Sequence, residues 1–311
     1  MSEAKTEPFR FDRASLWMIG GAFLLATMAA LSHGLRNQFD WVIIALVRAV
    51  VMLVTATLLV KGSGSELVIW RPRTLWVRSL AGSFSLICNF YALTRLPVSD
   101  AITLMNVHPL WIVLISALVL RRSPTVTEVL GVLSGLAGVV LIERPHLSGD
   151  RLAAMVALLS SASTAVAMLG LHRLRQVDPR AVVAHFAGVA TMISATCLYF
   201  RWREGTPLLF STSANLISLL LAVGATGTLG QILLTKAYAA GAPAKVATVG
   251  LVQVVFAMVF DVILWNRALT LATVAGFVLV LAPTTWLSIR SAQKARPKQV
   301  RADIEELLPS S

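Results

Sequence analysis

Apolar runs of about 20 residues, each closed by charge or a Pro/Gly break, take up most of this chain, and each can cross a bilayer as a helix. Ten spans are expected, at 14–35, 39–60, 74–94, 98–120, 125–143, 151–173, 180–200, 213–239, 243–265 and 269–289. Backbone polar groups in lipid must be satisfied within the segment, so the runs fold as helices unless they close into a barrel. The alternating ten-residue strands of a barrel are absent. The expected fold class is therefore all-α integral membrane. Every connection is short, the longest running from Lys61 to Arg73, so no loop can house a separate catalytic domain.

The chain also states one stretch twice. Tyr91-Ala92-Leu93-Thr94-Arg95-Leu96-Pro97 and a later Gly131, Gly135, Gly138 series return, worn, from Tyr238 through Pro243 to Gly276. Pro97 and Pro243 stand 146 apart, as do Ala101 and Ala247; Gly131 and Gly276 stand 145 apart, Tyr91 and Tyr238 147. An offset near half the chain is the mark of a duplicated half. Five spans per half is odd, so the second half must lie inverted relative to the first. The organisation expected is a tail over 1–13, a five-helix repeat over 14–143, a second over 151–289 and a tail over 290–311. Weak inverted duplication in a membrane chain points to a transporter with its site between the halves.

Charge sets the orientation. Of 27 Lys and Arg, Arg48 lies within a span, seven (Arg36, Arg95, Arg144, Arg151, Arg201, Arg203, Arg267) fall on one side, and the other 19 on the opposite side. The positive-inside rule then places both termini in the cytoplasm of a multi-pass protein in the cell (inner) membrane. Seven of the eight tryptophans sit at expected span ends, where an amphipathic ring belongs, and Trp111 is the exception. A net charge of +12 could suggest nucleic acid, but the basic residues lie between apolar runs rather than in patches, so no nucleic-acid partner is expected. With 14% charged residues against about 25% in soluble domains, a water-soluble fold is excluded. Cys88 and Cys197 fall inside apolar runs and read as small buried residues rather than a disulfide framework.

The ten spans, the five-plus-five duplication and the pattern Tyr91, Ala92, Leu93, Ala101, Pro109, Leu110, Gly131, Gly135, Ala137, Gly138 resemble the drug/metabolite transporter superfamily, EamA-type family. The likeness covers nearly the whole chain. It departs at Ala49, where an aromatic often follows the arginine. It departs again at Arg121-Arg122 and Asn266-Arg267, where Gly-Glu is usual. The resemblance implies a central cavity between the halves, loaded by alternating access, for small metabolites such as amino acids.

Polar side chains at membrane depth are costly and need a partner or a job. Arg48 lies roughly 13–14 Å into its span, near the midplane. It reads either as counter-charge for a substrate carboxylate or as a structural arginine bonded to helix carbonyls. Asn106 and His108 lie at similar depth in span four, where Pro109 frees the Met105 carbonyl. Gln253 lies in the matching span nine, and Asn89 and Gln231 in spans three and eight. His108 reads as a cavity group or as a neutral imidazole bonded across helices. Trp111 reads as a stacking surface for a planar substrate or as a core or lipid-facing ring. The substrate-binding set expected is Arg48, Asn89, Asn106, His108, Trp111, Gln231 and Gln253. His108, His185 and Asp261 are the candidate proton carriers, since imidazole changes charge near neutral pH and an aspartate does so only where burial favours its acid form.

Three classes compete. A secondary transporter accounts for the duplication and the midplane polar residues. A membrane enzyme acting on lipid needs a catalytic cluster, and no His-Glu-x-x-His, no paired carboxylates and no Cys/His metal spacing occur. A scaffold leaves Arg48 without a purpose. The expected function is secondary transport, by an exporter of small metabolites such as amino acids; import or exchange of a nucleotide-like or other organic anion is the alternative. The partners are a small-molecule substrate and the bilayer, in a monomer or homodimer. Neither metal nor cofactor is expected, and no Walker A sequence supports ATP drive.

Overall fold

The computed structural model describes residues 12–307 apart from 97, 119–120, 122, 146–149 and 206–208. The expected tail residues 1–11 and 308–311, together with Pro97 and Arg122, lie outside the described residues. The helices are α1 Arg13–Leu35, α2 Trp41–Gly62, α3 Arg73–Arg95, α4 Val98–Met105, α5 His108–Leu118, α6 Val126–Glu143, α7 Arg151–Arg173, α8 Pro179–Arg203, α9 Ala214–Ala240, α10 Pro243–Gly250, α11 Val252–Trp265 and α12 Leu271–Leu307. Among the described residues nine helical segments are long and apolar enough to cross a membrane, α4–α5 and α10–α11 each counting as one broken segment. The nine do not include α3, although its 23 residues suffice in length. Its polar side chains are the reason, and they return below as the wall of the candidate site.

Helix starts are written in short polar side chains. Asp40 Oδ1 accepts from Val42 N at 3.0 Å, Asp150 from Leu152 N at 2.8 Å and Asp178 from Arg180 N at 2.7 Å, opening α2, α7 and α8. Thr125 and Glu128 form a reciprocal capping box on α6. Each such cap contributes about 1 kcal/mol by satisfying an orphan N–H. Arg144 and Asn266, both at φ 51°, close α6 and α11 in the left-handed conformation.

Two expected continuous spans are interrupted. Span four breaks at Asn106-Val107 because Pro109 has no N–H for the Met105 carbonyl, and His108 Nδ1 takes up that carbonyl at 3.3 Å. Span nine breaks at Leu251, whose N–H turns back to the Thr248 carbonyl at 3.2 Å in a tighter loop of chain. The last helix runs past Ile289 to Leu307, through the segment expected to be a tail.

The broadest packing joins α1 to α9, α3 to α7, α6 to α12 and α2 to α8, followed by α2 with α9, α1 with α11, α5 with α7 and α3 with α8. The broken segments flank them, α10–α11 against α1 and α4–α5 against α7. Lipid tails are as apolar as leucine, so close approach and hydrogen bonds hold such a bundle together. The glycines of α6 serve that packing rather than an outer face. A Cβ at Gly138 would stand 2.6 Å from the Gly276 carbonyl oxygen, and one at Gly135 would stand 2.5 Å from Leu251 Cδ1.

Candidate functional site

A cavity of about 270 Å³ lies inside the bundle between α2, α3, α4, α7, α8 and α9. One face of α3 supplies much of its wall: Arg78, Gly82, Ser85 and Asn89 recur at i, i+4, i+7 and i+11. Arg48 enters from α2, Thr164 from α7, Phe186 from α8 and Gln231 from α9. No carboxylate is among the described residues that line it.

The two arginines set its electrostatics. Arg48 stands about 10 Å along α2, somewhat less than the sequence suggested because the helix begins at Trp41. Its Nε is buried without a hydrogen-bond partner and lies 3.3 Å from where a Cβ on Gly227 would be, so that glycine leaves it room. Arg78 is 1% exposed, and its Nε and Nη1 are likewise unpartnered. Its guanidinium stacks 3.9 Å above the centre of the Phe186 ring. Glycines make space on both sides of it: a Cβ at Gly82 would stand 3.1 Å from Nη1, and one at Gly170 would stand 3.0 Å from Arg78 Cβ.

Three other basic side chains are paired with carboxylates. Lys245 holds Asp12 at 2.7 Å, Arg201 holds Asp40 at 2.9 Å and Arg267 holds Asp261 at 3.0 Å. Leaving a buried charge unpaired costs several kcal/mol. Here two such charges line one space.

Hydroxyls furnish the rest of the wall. Ser85 Oγ lies 2.6 Å from Thr164 Oγ1 and 3.1 Å from Ser160 Oγ. Ser160 also donates to Asn89 Oδ1. Gln231 is buried at the opposite wall.

Three residues of the sequence-derived set, Arg48, Asn89 and Gln231, thus meet in one cavity. The others lie elsewhere, each with a local role. Asn106 Nδ2 donates to the Ile102 carbonyl at 2.9 Å, beside the break it belongs to. His108 caps the carbonyl freed by Pro109, as above. Trp111 Nε1 donates to Ser161 Oγ at 3.0 Å and ties α5 to α7. Gln253 is half-buried on α11, away from the cavity. His185 Nδ1 lies 2.8 Å from Ser79 Oγ, with its ring edge-on to Trp76 at 4.7 Å. Asp261 belongs to an ion cluster at a helix end, where Arg267 also reaches Glu143 at 3.9 Å.

Sequence reasoning missed Arg78, which it counted with Arg71 and Arg73 among the nineteen basic residues of the cytoplasmic side. The signal was there in the α3 stripe: a basic residue followed at helical spacing by glycine, serine and asparagine.

A multi-pass helical membrane protein with a polar, charged cavity among its helices is the class that fold and site define. The EamA-like transporter family model matches residues 12–144 and again residues 149–289, and the chain belongs to that family. It is 30% identical over 221 residues, covering 69% of this chain and 74% of that protein, to the pseudopaline exporter CntI of Pseudomonas aeruginosa PAO1. It is 25% identical to an uncharacterized transporter of Helicobacter pylori J99, covering 73% of this chain and 76% of that one. Solute carrier family 35 member G1 of Homo sapiens is 25% identical, with 70% of this chain and 62% of that protein covered. A crystal structure superposes with a TM-score of 0.76 at 18% identity, over 91% of this chain and 98% of that one, which establishes the likeness of fold alone. The chain is thus a membrane transporter with a small-molecule substrate, and not a lipid-modifying enzyme.

Proposed function

We propose that this transporter exports small metabolites bearing a carboxylate, such as amino acids, across the cell membrane by alternating access. Arg48 is the counter-charge in the cavity. The observation that carries this reading is the unpartnered, buried Nε of Arg48 beside a cavity whose described lining holds no carboxylate. Export as the direction is supported by the name of the Pseudomonas relative.

The ten spans form two inverted five-helix repeats, over 14–143 and 151–289, with α3 as the third span and both termini cytoplasmic. Helix packing supports this. Moving five spans along the chain turns the α1–α9 pair into α7–α3, turns α2–α9 into α8–α3, and returns α2–α8 and α6–α12 to themselves. The two broken segments exchange as well, and their breaks at Asn106 and Leu251 stand 145 apart, within one residue of the duplication offset.

The test is transport by protein reconstituted in liposomes. Arg48→Ala is expected to lose uptake of labelled amino acid at least a hundredfold while keeping folded yield. Arg48→Lys keeps part of it, because the charge remains and the planar fork does not. Loss of folded yield and of thermal stability in Arg48→Ala would instead make the arginine structural.

A further inference from the structure

Arg78 has no part in the single-carboxylate reading above, yet it meets every physical demand on a binding group. It is 1% exposed, has two guanidinium nitrogens without a partner, and lines the same cavity as Arg48. An arginine that merely served packing would spend its donors on helix carbonyls or a carboxylate. Here its neighbours hold its orientation and leave those donors idle. Phe186 carries the flat face of the guanidinium, while Gly82 and Gly170 leave the space that a side chain would fill. A guanidinium stacked on an aromatic ring keeps its edge free, and that edge is the part that grips a carboxylate through two parallel hydrogen bonds.

We propose that Arg48 and Arg78 form a two-point clamp for a small dicarboxylate, one carboxylate held from α2 and the other from α3. The substrate class thereby narrows from carboxylate-bearing metabolites to those with two separated anionic groups. Two uncompensated positive charges in one low-dielectric space favour such a ligand over a monoanion, because a monoanion leaves one charge unpaired. The volume of about 270 Å³ admits a short-chain diacid. Asn89, Ser85 and Gln231 then supply neutral hydrogen bonds along its length. The inference rests on the reading of this cavity as the substrate site.

The experiment measures binding to the purified full chain by thermal shift and isothermal titration. The ligands are the α,ω-dicarboxylates from succinate to suberate, each compared with the monocarboxylate of equal length. At least one dicarboxylate is expected to bind tenfold or more tightly than its monocarboxylate match. Arg78→Gln should remove that preference, weakening the dicarboxylate at least tenfold more than its monocarboxylate match. Arg48→Gln should weaken both. Gly82→Ala keeps both arginines but crowds Nη1 and Phe186, and it should weaken the dicarboxylate more than the monocarboxylate, which covers the case of an unstable Arg78 variant. Monocarboxylates binding as tightly as every dicarboxylate, with Arg78→Gln and Gly82→Ala indifferent, would overturn the clamp and leave the Arg48 reading standing. Binding of neither series, together with intact transport in Arg48→Ala, would overturn both.

Discussion

The two broadest seams of this bundle are built from different materials. Between α1 and α9 the backbones nearly touch. A Cβ at Gly230 would stand 2.9 Å from Leu25 Cγ and 3.2 Å from the Gly21 carbonyl, and one at Gly227 would stand 2.8 Å from Met28 Sδ. Between α3 and α7 one glycine, Gly170, backs onto Arg78, and hydroxyls carry much of the remaining contact. Ser85 meets Thr164 at 2.6 Å, Ser160 donates to the Ser85 carbonyl at 3.1 Å, and Ser163 donates to the Ala81 carbonyl at 2.9 Å. Lipid offers no hydrophobic push between helices, so a seam is held either by shape or by polar bonds. A hydroxyl-held seam also presents polar side chains to the space beside it. The cavity with Arg48 and Arg78 lies on the second kind.

The contrast breaks or sharpens with one substitution in each seam. Gly230→Leu drives a side chain into Leu25 and the Gly21 backbone, and overpacking of this kind costs about 2–3 kcal/mol. Purified variant protein should unfold at a clearly lower temperature and yield less. Ser163→Ala removes one inter-helix bond, and such bonds average about 0.6 kcal/mol in membrane proteins. Its melting temperature should shift only slightly. Equal costs in the two variants would mean that the seams are held alike and that the cavity owes nothing to the difference.

How far the sequence foretold this architecture depended on how local each cause was. Span limits were legible because lipid demands about 20 apolar residues from each crossing, and most observed helices start and stop within a few residues of the expected bounds. Arg48 was legible as a charge alone in an apolar run. Arg78 was not, since it was counted with Arg71 and Arg73 on the cytoplasmic side, and only the packing of Phe186, Gly82 and Gly170 reveals it as buried. His108 read from its depth either as a cavity group or as an imidazole bonded across helices. Its task follows from the next residue, for Pro109 frees a carbonyl and the imidazole takes it. The break at Leu251 has no proline to announce it, and its likeness to the break at Asn106 emerges only from the structure. Asp261 read as an isolated intramembrane acid until the chain turned at Asn266 and brought Arg267 back to it.

The proposed alternating access between inverted halves makes one demand that a rigid bundle does not. The end of α1–α9 near Leu16 and Ala240 corresponds, under exchange of the halves, to the end of α3–α7 near Arg95 and Arg151. All four positions are exposed and accept labels. With Cys88 and Cys197 replaced by alanine, spin labels on Leu16→Cys with Ala240→Cys, and separately on Arg95→Cys with Arg151→Cys, report the two seams in lipid nanodiscs. Pulsed-resonance distances should move in opposite senses when a transported anion is added, one pair closing as the other opens. Distances that move together, or that stay fixed while transport proceeds, would contradict alternating access between the two halves.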